Sequence, residues 1–167
     1  MKSHDEAEFE RINFKRLVPA AYRAMLGLES YVHETGLEPS LLELVKMRAS
    51  QINGCAYCLD MHSKDARAAG ETEQRLYLLN AWQEAPFYTE RERAALAWTE
   101  AVTLVNQSHV PEDVYQQTRA HFSEKELVDL TIAIVAINAW NRLEVSFRGV
   151  AGRYTPKALQ SQRQGDH

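Results

Sequence analysis

Cys55 and Cys58 are the only two cysteines in this chain, and they form a Cys-Ala-Tyr-Cys step. One helical turn apart, two sulfurs can reach disulfide distance. Their setting is Glu43-Leu-Val-Lys-Met-Arg-Ala-Ser-Gln-Ile-Asn-Gly-Cys55-Ala-Tyr-Cys58-Leu-Asp-Met-His62. Cys55 follows a glycine break at the start of a helical pattern, where unpaired N–H groups and the positive dipole end favour a thiolate. His62 lies four residues beyond Cys58, on the same helical face, and can take its proton. Glu43 belongs to the preceding helix. If the two helices pack as a hairpin around Gly54, its carboxylate can orient the imidazole.

Each residue also has a plainer reading. A c-type haem site needs His directly after the second Cys, and Leu59 stands there. A zinc site would have to recruit His62 and Glu43, because the chain has no further cysteine. A thioredoxin-type site needs a strand before its cysteines, whereas this pair follows a helix. Alone, His62 reads as a helix histidine and Glu43 as a surface charge. Beside paired thiols, the redox reading is the better one.

The segment closely resembles the core motif of the alkylhydroperoxidase AhpD family, part of the carboxymuconolactone decarboxylase-like superfamily. That motif is Glu, eleven residues, Cys-x-x-Cys, three residues, then His, and Glu43, Cys55, Cys58 and His62 match it position for position. Met47 to Gly54 resembles the usual filling, and Ile137 to Leu143 resembles the family's last core helix. The resemblance implies an all-helical fold and hydroperoxide reduction at the cysteine pair. It implies Cys58 as the peroxidatic thiol, Cys55 as the resolving thiol, and Glu43 with His62 as the proton relay. The dipole argument alone favours Cys55; the spacing to His62 favours Cys58, and that order is adopted.

There are two departures from the pattern. Tyr57 stands where adaptor members often carry a second His, so it is a candidate to support the relay by donating a hydrogen bond. Those longer members hold two copies of the helical core and this chain holds one, which implies a homo-oligomer, a dimer or a hexamer built from dimers. The implied partners are a hydroperoxide and a dithiol reductant of lipoyl or thioredoxin type. No metal or cofactor is expected, and no Gly-rich dinucleotide fingerprint is present.

The elements that must position these residues read as helices throughout. Pro19 opens a pattern to about Thr35, and Pro39-Ser40 opens another to Asn53, stopped by Gly54. Cys55 to Ala69 and Thr72 to about Trp82 read as the next two. Thr89-Glu-Arg-Glu92 and Ser123-Glu-Lys-Glu126 are capping-box patterns, opening helices to about Val105 and Phe147. Pro111 starts a shorter helix between them, ending near His121. Leu127 to Trp140 is apolar nearly all round, as in a helix central to the core or shared with a second subunit. No convincing strand pattern occurs, so the fold class is all-α: an AhpD-like helical bundle with a single core copy.

At 167 residues the chain suits a single domain over 1–167, with a helical core over about 18–148 and a polar tail over 156–167. A net charge of -4 gives no footprint for nucleic acid or an anionic membrane. No segment is apolar for long enough to span a bilayer, and the acidic N-terminus does not read as a secretory signal. The expectation is a cytoplasmic enzyme, where a cysteine pair is catalytic or metal-binding and not a structural staple. Two rivals remain: a carboxymuconolactone decarboxylase-like enzyme on the same fold, and a non-enzymatic thiol redox sensor.

Overall fold

The structure is a computed structural model and describes residues 10–156. Among these residues there are nine α-helices and no strand. They are α1 (Phe14–Leu17), α2 (Pro19–Glu34), α3 (Pro39–Asn53), α4 (Ala56–Ala68), α5 (Glu73–Tyr77), α6 (Glu90–Thr103), α7 (Val105–Ser108), α8 (Glu112–Arg119) and α9 (Glu124–Phe147). The fold is all-α, as the residue patterns require. Of the polar tail expected over 156–167, all but Pro156 lies outside the described residues.

Local chemistry accounts for the helix ends. Proline opens α2 and α3, where its fixed φ suits the first turn and its missing N–H costs nothing. Both capping boxes form: the N–H of Glu92 donates to Thr89 Oγ1 at 3.2 Å, and that of Glu126 to Ser123 Oγ at 3.3 Å. In return each Glu accepts the capping residue's own N–H at 2.8 Å. That backbone hydrogen bond, with one from Arg91, holds the Glu126 carboxyl down at about 2.

The pattern from Thr72 to Trp82 is not one helix. α5 ends at Tyr77 and a 3-10 turn, Leu79–Ala81, follows. The buried residues Leu76, Leu79, Trp82, Ala85 and Tyr88 recur every third position. That spacing suits a tighter winding than the α-helix, so burial overrides propensity here.

Helix α3 is the hub, packed against α4, α6 and α9. Leu41, Leu42 and Val45 face one apolar cluster with Trp98, Leu130 and Ile134. Leu44 and Met47 face a second with Leu79, Trp82 and Leu96. Behind the cysteines, Ala49 and Ile137 close a third. Helix α9 buries Leu130, Ala133, Ile134, Ala136 and Ile137 but leaves Val128, Val135 and Val145 exposed at 59%, 47% and 46%. Among the described residues, no helix is long and apolar enough to cross a membrane.

Candidate active site

The site is built on the α3–α4 hairpin. Gly54 caps α3 in the left-handed region, with φ 65° and ψ 34°. A Cβ there would meet nothing within 4 Å, so the demand for glycine is one of backbone conformation alone. The reversal leaves Cys55 as the N-cap of α4, where its sulfur accepts the backbone N–H of Cys58 at 3.3 Å. Cys55 and Cys58 are joined as a disulfide with Cα atoms 5.3 Å apart.

The hairpin also carries Glu43 of α3 to the face of α4 that bears Cys58 and His62. His62 Nδ1 lies 2.9 Å from Glu43 Oε2, and both side chains are largely buried. With Glu43 ionised, Nδ1 is the donor and Nε2 is left free to exchange a proton. The four motif residues are therefore assembled by one helical hairpin, as their spacing anticipates.

An open-mouthed cavity of about 680 Å³ reaches Cys58, His62 and Glu43 but is not lined by Cys55. Tyr22, Leu26, Leu42, Met61 and Trp140 form its apolar wall. Tyr57 lines its rim, and its ring packs beneath the Lys15 ammonium at 4.8 Å, a cation–π contact. Tyr57 also packs against the cluster that holds the two cysteines.

Sequence reasoning missed most of the charged lining. Lys46 is 1% exposed and pairs with Glu29, which also meets His33 at 3.5 Å. Burial alone would raise the Glu29 pKa, but the Lys46 charge and hydrogen bond bring it below its ordinary value. On the opposite rim Lys15 bridges Glu144 at 2.9 Å. Burial works against that ammonium, yet Glu144 outweighs it and the Lys15 pKa is raised. Asp65 accepts the Tyr154 hydroxyl at 2.8 and 2.9 Å. Burial pushes the Asp65 carboxyl above its ordinary value; the Tyr154 bond opposes this and the nearby Glu43 charge adds to it. A signal for two of these existed. Lys46 stands three residues after Glu43, and Asp65 three after His62, so each shares a helical face with a motif residue.

Asn138 and Asn141 of α9 are buried behind the disulfide. Asn53 Nδ2 donates to Asn138 at 3.0 Å and to Asn141 at 2.9 Å, and Asn141 donates to Ser50 Oγ at 3.0 Å. These bonds tie α3 to α9. Among the described residues, no three His, Cys, Asp or Glu side chains converge as a metal site would require.

The structure defines an all-helical bundle with a Glu–His pair beside a cysteine pair, and comparison with known proteins gives it a family. The family model for carboxymuconolactone decarboxylase matches residues 19–101, which include all four motif residues. YdfG of Bacillus subtilis, an uncharacterized protein, is 42% identical over 137 residues, covering 82% of this chain and 93% of YdfG. A solved structure from Agrobacterium tumefaciens is 47% identical with a TM-score of 0.84, covering 87% of this chain and 99% of that one. That protein is of unknown function and carries the provisional description of an antioxidant defence protein AhpD. An AhpD-core, peroxidase-related protein from Ralstonia eutropha is 20% identical with a TM-score of 0.73 over 84% of this chain and 75% of its own, which shows the shared fold alone. This chain belongs to the carboxymuconolactone decarboxylase family, in its AhpD-like branch.

Proposed function

We propose that the protein is a thiol peroxidase that reduces organic hydroperoxides at Cys58 and Cys55. The observation that carries this reading is the cavity: it opens onto Cys58, His62 and Glu43 together and leaves Cys55 behind. In the reduced protein His62 takes the Cys58 proton, and the thiolate attacks the outer peroxide oxygen. The O–O bond breaks as the S–O bond forms, and the leaving alkoxide takes the proton back from His62, yielding an alcohol and a sulfenic acid. The Cys55 sulfur then attacks the Cys58 sulfur, releasing water and forming the disulfide. A dithiol of lipoyl or thioredoxin type returns the two electrons by exchange and is itself oxidised. Such a donor is at hand in the cytosol, where this reading places the chain. A decarboxylase on this fold would have no use for the dithiol.

The test is a thiol count on single variants, with turnover. Cys58→Ser should consume no peroxide. Cys55→Ser should consume about one equivalent and accumulate a trappable sulfenic acid. A sulfenic acid on Cys55 in the Cys58→Ser protein would reverse the assignment. Loss of both thiols in the parent without turnover would make the pair a redox sensor.

The same reading has the chain work as a homo-oligomer, at least a dimer. The exposed valines on α9 and the single helical core support this. Light scattering at micromolar concentration should give at least twice the chain mass of 19.1 kDa, and a monomer would sink the idea.

A further inference from the structure

A thiol peroxidase does not need a large cavity to reduce hydrogen peroxide. A water molecule takes up about 30 Å³ of liquid, and hydrogen peroxide is little larger. The cavity beside Cys58 holds about 680 Å³, in the size range of sites for small organic ligands. Its apolar wall, Tyr22, Leu26, Met61 and Trp140, suits a hydrocarbon body.

The charges on the lining carry the argument further. Two lysines reach the cavity, and both are already matched: Lys46 by Glu29 and Lys15 by Glu144. Two more carboxylates, Glu43 and Asp65, line it without a Lys or Arg of their own; their side-chain partners are His62 and Tyr154. Among the described lining residues no further Lys or Arg is available to receive an anion. A further negative charge entering this half-enclosed site would meet repulsion that water screens only in part.

We propose that the cavity selects a neutral, bulky hydroperoxide and turns away one that carries a carboxylate, with Asp65 as the charge that most sets this preference. The inference rests on the peroxidase reading for its chemistry and adds the class of substrate. The reaction balances as before: the neutral hydroperoxide becomes the alcohol, and the thiol pair becomes the disulfide with release of water. Asp65 sits on α4 three residues after His62, and its carboxylate is held by the Tyr154 hydroxyl. Asparagine there would still accept that hydroxyl but would carry no charge.

The test compares cumene hydroperoxide, its para-carboxylate and hydrogen peroxide in single-turnover oxidation of the reduced protein at pH 8. Cumene hydroperoxide should react at least about tenfold faster than its carboxylate. Asp65→Asn should narrow that ratio, mainly by speeding the carboxylate. Equal rates for the two organic peroxides, or an unchanged ratio in Asp65→Asn, would overturn the proposal. So would hydrogen peroxide reacting as fast as cumene hydroperoxide. Binding is read separately by saturation-transfer NMR with 2-phenyl-2-propanol and its para-carboxylate on the oxidised protein. Preferred binding of the neutral alcohol with no reaction of any peroxide would keep the cavity's selectivity and remove the peroxidase reading. Equal binding of the two alcohols would remove the selectivity whatever the kinetics show.

Discussion

Two polar regions flank the cysteine pair, and they are built on opposite principles. On the cavity side the groups are ionisable: the ion pairs Lys46 with Glu29 and Lys15 with Glu144, and the hydrogen-bonded pair Glu43 with His62. On the far side, where α3, α9 and the end of α6 meet, they are mostly neutral amides and hydroxyls: Asn53, Asn138, Asn141, Ser50 and Thr103, with the exposed Arg142 donating to Asn138 Oδ1 at 3.0 Å. Neutral groups that satisfy one another lose little on leaving water, so they can lie dry and fix how two helices meet. Ion pairs cost more to bury and are weak evidence for stability. Their place on a cavity wall, where a reacting group can use their charge and protons, points to chemistry. The rear cluster ties α3 to α9, while the front cluster lines the cavity.

The largest effect that would break this contrast belongs to the front. Glu43→Ala or His62→Ala should slow oxidation by a hydroperoxide by about 100- to 10,000-fold, the usual cost of losing a positioned general base. The pH dependence of thiol alkylation should move upward in both, while thermal stability changes little by comparison. If both variants alkylate and turn over like the parent, front and rear are both merely structural.

A smaller effect, and one of a different kind, is expected at the rear. Asn141→Ala strips Asn53 and Ser50 of a partner. It should cost about 1–3 kcal/mol of stability, the usual penalty for leaving buried groups unsatisfied. Urea unfolding measures this directly. The pH profile of thiol alkylation should keep its midpoint. A shift as large as that in His62→Ala would mean that the amides reach the sulfurs after all.

What was legible beforehand follows the range of the interactions. The glycine cap at Gly54 and the two capping boxes are local, and local rules read them correctly. Proline and glycine punctuation placed most helix ends, because φ restriction acts within one or two residues. The run after Thr72 misled for the same reason. Its local pattern allows an α-helix, but the core needs every third side chain, and only packing shows that. Nothing in the neighbours of Asn138 and Asn141 indicates that α3 will cover them with Asn53.

By itself, then, the sequence determined the helical class, the hairpin around Gly54 and the meeting of Glu43 with His62 and of Cys55 with Cys58. These depend on residues within one hairpin, and chain connectivity alone brings them close. Only the tertiary structure decided which cysteine faces the cavity, that Trp140 and Tyr22 wall it, and that Lys46, Asp65 and Glu144 surround it. Those groups come from α1 through the segment after α9, as many as 139 positions apart in the case of Lys15 and Tyr154. Their meeting is a product of how the helices pack, and no local pattern records it.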